Sequence, residues 1–187
     1  LPRMLHARLL RGVHAHARIR SIDVSAALAL PGVHAVITGK DLPEYYGIIP
    51  WTQDEQALCE EKARYAGDAI AALAADSELI ADEALRLIRV DYEVLPAVMT
   101  IEEALAHPEI KVNERAAEGN ISKHVHLEFG EVDAGLAASD VVVEGDYWYE
   151  GSTHAPIEPH CCVADFDATG LLTVWSSTQV AHYLHRD

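Results

Sequence analysis

Histidine is the residue type most able to do chemistry in this sequence, with eleven copies in 187 residues. His14 and His16 are two apart, as are His124 and His126. On a strand each pair would share one face, and strand-borne His-x-His pairs can chelate zinc or iron. A complete site needs a third and a fourth ligand, and only scattered candidates such as His154, His160 and Glu158 are at hand. The His14-Ala15-His16-Ala17-Arg18 run is equally the pattern of a half-exposed strand edge. A structural role is preferred, and no metal ligand is assigned. Glu158 lies between Pro156 and Pro159, which hold its backbone rigidly on both sides. A carboxylate fixed in that way can serve chemistry or pair with a buried Arg or backbone amides, and the structural reading is again favoured.

Other chemistries lack their residues. Cys59, Cys161 and Cys162 are too few and too badly spaced for a disulfide framework or a thiolate metal site. They read as free thiols, which suits a cytoplasmic protein. Ser176-Ser177-Thr178 has no nucleophile elbow, and neither phosphate-binding glycine motif is present. No catalytic residue is assigned. A net charge of −16, from 30 acidic against 14 basic residues, argues against nucleic acid as a partner. No apolar run approaches the ~20 residues that cross a bilayer, so no membrane partner is expected either. The beginning at Leu1 and the end at Asp187 both read as cuts through a longer protein.

The elements that must position these residues read as α+β with short helices. Met4 to Asp23 is extended. A short helix capped by Asp23 or Ser25 runs over Ala26 to Leu30 and stops at Pro31-Gly32. Val33 to Thr38 is a strand ended by Gly39-Lys40-Asp41, and residues 43–61 form an irregular excursion. Ala69 to Ala75 is an unbroken apolar run, the length of a strand buried on both faces. Asp76 or Ser77 caps a helix with Leu79, Ile80, Ala84, Leu87 and Ile88 at helical spacing. The period then switches to two through Val90, Tyr92 and Val94, giving the strand–helix–strand order of a split α/β unit. Thr100 with Glu103 forms a capping box for a helix to about His107. Residues 108–120 are polar and irregular, a candidate domain boundary. Beyond it, Val141, Val143, Tyr147 and Tyr149 alternate as in a strand. Pro159 to Phe166 and Leu171 to Ser176 form a hairpin around Asp167-Ala168-Thr169-Gly170.

Three segments in order resemble the large subunit of the xanthine dehydrogenase and aldehyde oxidase (molybdenum hydroxylase) family. Arg11 to Pro43 carries His14-Ala15-His16-Ala17-Arg18-Ile19, the Pro31-Gly32-Val33 helix stop and the Thr38-Gly39-Lys40-Asp41 turn. Lys62 to Leu105 carries Tyr65-Ala66-Gly67-Asp68 and Tyr92-Glu93-Val94-Leu95-Pro96-Ala97. Gly151 to Gln179 carries His154-Ala155-Pro156-Ile157-Glu158 and Leu172-Thr173-Val174-Trp175-Ser176-Ser177-Thr178-Gln179. Arg11-Gly12-Val13 stands where the family has Arg-Ser-Pro, and the family's Gly-Gly-Phe-Gly loop and its late glutamate base lie outside this sequence.

The resemblance implies an α/β-hammerhead domain over residues 1–112. It implies the beginning of a molybdopterin-binding domain, truncated, over 120–187. By residue it implies that Gln179 sends its amide towards an oxo ligand of molybdenum, a place a neutral donor suits. Glu158 maps to a pocket-shaping position. For the complete enzyme it implies a molybdenum–molybdopterin cofactor in its cytosine dinucleotide form, with iron–sulfur and FAD partners on other domains or subunits. It also implies an aromatic, N-heterocyclic, aldehyde or aromatic acyl-CoA substrate. The 187-residue chain alone is expected to hold no cofactor and to be inactive, with a homodimer formed by edge pairing as a further expectation. Residues 46–50 and 179–185 look most like the 4-hydroxybenzoyl-CoA reductase branch. The competing reading is a stand-alone interaction or assembly module that uses no cofactor.

Overall fold

The computed structural model describes residues 2–47, 49 and 53–186. The 46–50 segment likened above to one branch of the family therefore lies partly outside the described residues. The chain divides into two compact units, Leu1–His124 and Val125–Asp187.

In the first unit the described elements are β1 (His6–Arg11), β2 (Ala17–Asp23), α1 (Ser25–Leu28), β3 (Val33–Thr38), β4 (Tyr45–Tyr46), β5 (Glu55–Gln56), β6 (Lys62–Ala63), β7 (Ala69–Ala75), α2 (Glu78–Leu87), β8 (Arg89–Val94) and α3 (Ile101–Ala106). β7 is the centre of an antiparallel sheet in the order β1-β7-β3, and a second antiparallel sheet runs β6-β2-β8. The apolar run of β7 is buried on both sides, as its composition requires. Its Ala71, Leu73 and Ala75 pack with Ala27, Ala81, Ala84 and Ile88. Ile70 points the other way, into a cluster with Ile19, Cys59 and Ala63. Alanine at the contact positions of both β7 and α2 lets helix and sheet backbones approach closely.

The caps of α2 and α3 follow the sequence, whereas α1 has Val24 at its N-cap with no side-chain cap hydrogen bond, in place of the expected Asp23 or Ser25. Ser77 Oγ accepts from the Ile80 amide at 3.3 Å, and Thr100 Oγ1 accepts from the Glu103 amide at 3.1 Å. The reciprocal arm of the second box shifts by one residue, because Glu103 Oε2 accepts from Met99 N at 2.8 Å rather than from Thr100. Asp23 Oδ1 accepts from Ser25 N at 2.9 Å and so organises the start of α1 from outside it. Three further expectations change. Leu79 is 82 % exposed, because it lies two residues, or about 200° of helix, from the buried Ala81. β7 and β8 belong to different sheets, so α2 connects two layers instead of closing one split unit. Within the irregular 43–61 excursion, β4 and β5 pair as a short antiparallel ladder.

The second unit has α4 (Val132–Ala137), β9 (Cys162–Phe166), β10 (Leu172–Ser176) and α5 (Ala181–Arg186) as its described elements. β9 and β10 form the expected hairpin, in register from Leu172 with Phe166 to Ser176 with Cys162. Asp167 builds the turn: its Oδ1 accepts from Thr169 N at 2.7 Å and Leu171 N at 3.1 Å, while Gly170 takes a φ of 89°. Glycine alone adopts that angle without steric cost. The alternating 141–149 stretch forms no strand. Val143, Tyr147 and Tyr149 are each more than 80 % exposed, and a strand without a ladder partner gains no hydrogen bonds to hold it. α4 and α5 are single short helices that no apolar stripe announces.

Candidate functional site

Neither histidine pair belongs to a cluster of potential metal ligands among the described residues. β1 ends at Arg11 and the chain turns at Gly12, whose amide donates to Asp68 O at 2.7 Å. His14 and His16 therefore lie between strands and not on one, contrary to the shared-face expectation. His14 meets the Tyr92 ring edge-on at 5.0 Å, with 76° between the planes. His16 is buried, and its Nδ1 donates to Pro96 O at 2.5 Å. Both act as packing groups that fasten the 12–16 turn against β8 and the residues that follow it. His124 and His126 are exposed and outside any strand. Among the described residues no group of three His, Cys, Asp or Glu side chains converges as a metal site.

Gln179 stands where β10 gives way to α5. Ser177 closes the hairpin's open end, its amide donating to Cys161 O at 3.1 Å while its Oγ accepts from Cys161 N at 3.0 Å. Thr178 Oγ1 then accepts from Val180 N at 3.2 Å, and Val180 O accepts from the Tyr183 and Leu184 amides at 3.0 and 3.1 Å. The backbone on both sides of Gln179 is thus fixed by local hydrogen bonds, while its side chain is exposed. A neutral amide held at such a corner can donate to an oxygen atom without bringing charge. Glu158 sits at an exposed bend, and among the described residues no ion pair involves it.

The strongest polar cluster lies in the first unit. Lys62, 6 % exposed, donates from Nζ to Glu114 Oε1 at 2.6 Å and to Lys111 O at 2.5 Å. Arg64 Nη2 reaches the other oxygen, Glu114 Oε2, at 3.3 Å. Burial works against the charge on Glu114, but the Lys62 hydrogen bond and the two cations outweigh it and hold the carboxyl below its ordinary range. Residues between 108 and 120 are irregular, as expected, and they are also fastened here. The sequence offered no sign of this cluster, because its partners are 52 and 50 residues apart.

The family model for the aldehyde oxidase and xanthine dehydrogenase a/b hammerhead domain matches residues 1–96, and that for the molybdopterin cofactor-binding domain matches 112–187. The chain belongs to the aldehyde oxidase and xanthine dehydrogenase family. It is 41 % identical over 184 residues to the nicotinate dehydrogenase large molybdopterin subunit of Eubacterium barkeri, covering 97 % of this chain and 42 % of that protein. Among solved structures it is similar to quinoline 2-oxidoreductase from Pseudomonas putida 86, with TM-score 0.80, 36 % identity, and coverage of 96 % of this chain and 24 % of the other. The aldehyde oxidoreductase of Desulfovibrio desulfuricans superposes with TM-score 0.83 at 30 % identity, covering 99 % and 21 %. The chain thus spans about two fifths or less of these relatives' lengths.

In this family member the hammerhead carries β1 to β8, and Gln179 falls within the segment matched to cofactor binding. Among the described residues no helix is long and apolar enough to cross a membrane. The hammerhead also holds Cys59, 2 % exposed, whose thiol is pushed up to about 12 by burial first, then by the hydrogen bond and charge of Asp68. Cys161 and Cys162 are exposed. At pH 8 the Cys59 thiolate fraction is on the order of 10⁻⁴. Iodoacetamide at that pH is expected to modify Cys161 and Cys162 within minutes and Cys59 only after denaturation, giving two mass additions on the folded chain. Three additions under native conditions would contradict the buried thiol.

Proposed function

We propose that the chain supplies the hammerhead domain, residues 1–112, and the opening of the cofactor-binding domain, residues 120–187, of a molybdenum hydroxylase large subunit. The complete subunit acts as an oxidoreductase on an electrophilic carbon of an aromatic, N-heterocyclic, aldehyde or aromatic acyl-CoA substrate. The observation that carries this reading is the pair of family matches, hammerhead over 1–96 and molybdopterin cofactor binding over 112–187, the second of which includes Gln179 at the exposed corner between β10 and α5. When bound, the molybdenum–molybdopterin group, in its cytosine dinucleotide form, supplies the two-electron redox chemistry.

The residues present fit one part of that group and not another. Gln179 offers a neutral amide donor, suited to an oxo ligand that must be oriented without a change in charge. The pterin's phosphates need cationic or backbone donors. Residues 125–187 hold eleven acidic side chains and one basic one, Arg186, which lies over the Tyr183 ring at 5.1 Å. Side-chain cations for the phosphates therefore come from elsewhere in the complete subunit. Electrons leave through iron–sulfur and FAD partners on other domains or subunits, the setting is cytoplasmic, and association into a homodimer is part of the same reading.

The 187-residue chain by itself is inactive in this proposal. None of the described residues of the second unit is buried, and an isolated two-stranded hairpin is marginal in water. The test is metal analysis of the complete large subunit co-expressed with its neighbouring genes. Stoichiometric molybdenum together with iron is the expected result. A well-folded complete subunit without molybdenum would overturn the reading and leave a stand-alone interaction module in its place.

A further inference from the structure

The matched cofactor-binding segment begins at residue 112, yet residues 112–124 belong to the same compact unit as the hammerhead. Their attachment is specific. Glu114 takes Lys62 on one carboxylate oxygen and Arg64 on the other, at 2.6 and 3.3 Å. Asn113 Nδ2 donates to Asp54 Oδ2 at 2.6 Å, and the Arg115 guanidinium lies over the Tyr45 ring at 4.2 Å. Three consecutive residues, 113 to 115, thus each engage a different side chain of the hammerhead.

The segment is also shaped before it docks. Asn120 Oδ1 accepts from Val112 N at 2.9 Å, and its Nδ2 shares two N–H donors among Ala104 O, His107 O and Ile110 O at 3.2, 3.4 and 3.0 Å. Asn120 therefore closes residues 104–120 into a loop with its one amide. The loop spans open space: cavities of about 260 and 360 Å³ lie along it, and Lys62 and Glu114 line both. It lies across the hammerhead as a strap held at points, and it is not packed into the core.

Lys62 decides how firmly. An ammonium only 6 % exposed is tolerated where its partners are supplied. Both of its hydrogen-bond acceptors, Glu114 and the Lys111 carbonyl, come from the strap. The hammerhead has thus buried a charge whose neutralisation depends on the segment that leads into the cofactor-binding part. We propose that Lys62 and Arg64 form an intramolecular docking cleft for residues 111–115, a clamp that holds this segment against the hammerhead. The clamp is built from residues of the first unit alone, so it stands whether or not the redox reading is right.

The test uses the 187-residue chain in the variants Glu114→Ala, Glu114→Gln and Lys62→Met. Amide exchange over 109–116 and trypsin cleavage after Lys111 and Arg115 are followed beside exchange in β1, β2 and β7. Glu114→Ala is expected to speed exchange and cleavage in the strap on the order of tenfold, leaving the three strands within about twofold of the parent. Glu114→Gln keeps an oxygen for Lys62 to donate to and should fall between the two. Lys62→Met removes the buried charge while keeping its length, and should free the strap as Glu114→Ala does. An unchanged strap in both Glu114→Ala and Lys62→Met would overturn the proposal. So would a loss of protection spread evenly over β1, β2, β7 and the strap in Glu114→Gln, since the pair would then be part of the hammerhead core.

Discussion

Glycine 39 replaced by alanine is expected to cost the first unit about 3 kcal/mol or more, at the upper end for forced overpacking. A Cβ on Gly39 would lie 2.5 Å from Glu60 N and 2.6 Å from both the carbonyl carbon and oxygen of Cys59. All three are backbone atoms, so no side chain can swing aside. The backbone there cannot retreat cheaply either. Cys59 N donates to Ala69 O at 2.7 Å, tying it to β7, and Ile19 N donates to Glu61 O at 2.7 Å, tying the same stretch to β2. Leu58 and Cys59 are each only 2 % exposed. Relief of the clash therefore has to move a segment anchored to both sheets at once. For a unit of this size the cost corresponds to a fall in melting midpoint of roughly 10 °C. Gly67→Ala is the internal comparison. Gly67 has a φ of 101° but nothing within 4 Å of its added Cβ, so only the backbone penalty of about 1–2 kcal/mol applies. Thermal unfolding of both variants, followed by exchange in β7, checks the order. Equal midpoints for the two would show that the close approach at Gly39 relaxes freely.

How far such features can be read from sequence depends on their range. β7 was legible because seven consecutive apolar residues between Asp68 and Asp76 have the length of a doubly buried strand and are too few for an ordinary helix. Ser77, Thr100 and the Asp167–Gly170 turn were legible because their hydrogen bonds close within four residues. The His14–His16 pair misled for the opposite reason. Its local alternation is that of a strand, and the chain leaves the strand because Gly12 bonds to Asp68, 56 residues on. Residues 141–149 alternate just as convincingly and form no strand, since alternation reports a fitness for pairing and not the presence of a partner. The Lys62–Glu114 clamp left no sequence trace, being a contact of two charged residues among 44. Gln179 is a further case. Nothing in an exposed glutamine between a strand and a six-residue helix points to a metal, and only the family likeness of Gly151 to Gln179 singles it out.

That assignment carries the largest expected functional effect. In the complete subunit, Gln179→Ala should retain stoichiometric molybdenum and lose about 10–100-fold in kcat, the scale on which groups that orient a metal's ligands act. Retention follows from the chemistry of the side chain: a single neutral amide orients an oxygen atom but does not anchor a charged pterin. Loss in kcat, with KM nearly unchanged, follows from the proposed role, because an oriented donor is worth most where charge builds up on the oxygen it would face. Gln179→Glu sharpens the point. It keeps the length of the side chain but turns a donor into an ionised acceptor, which would face the oxo group with like polarity. Its kcat should therefore fall below that of Gln179→Ala despite the closer match in shape. Steady-state kinetics of the two variants with metal analysis on the same samples decides the matter. If Gln179→Glu is the more active of the two, the amide is not donating to an oxygen. If Gln179→Ala in a folded subunit holds no molybdenum, Gln179 is an anchor, and the corner between β10 and α5 binds the cofactor more directly than an orienting amide requires.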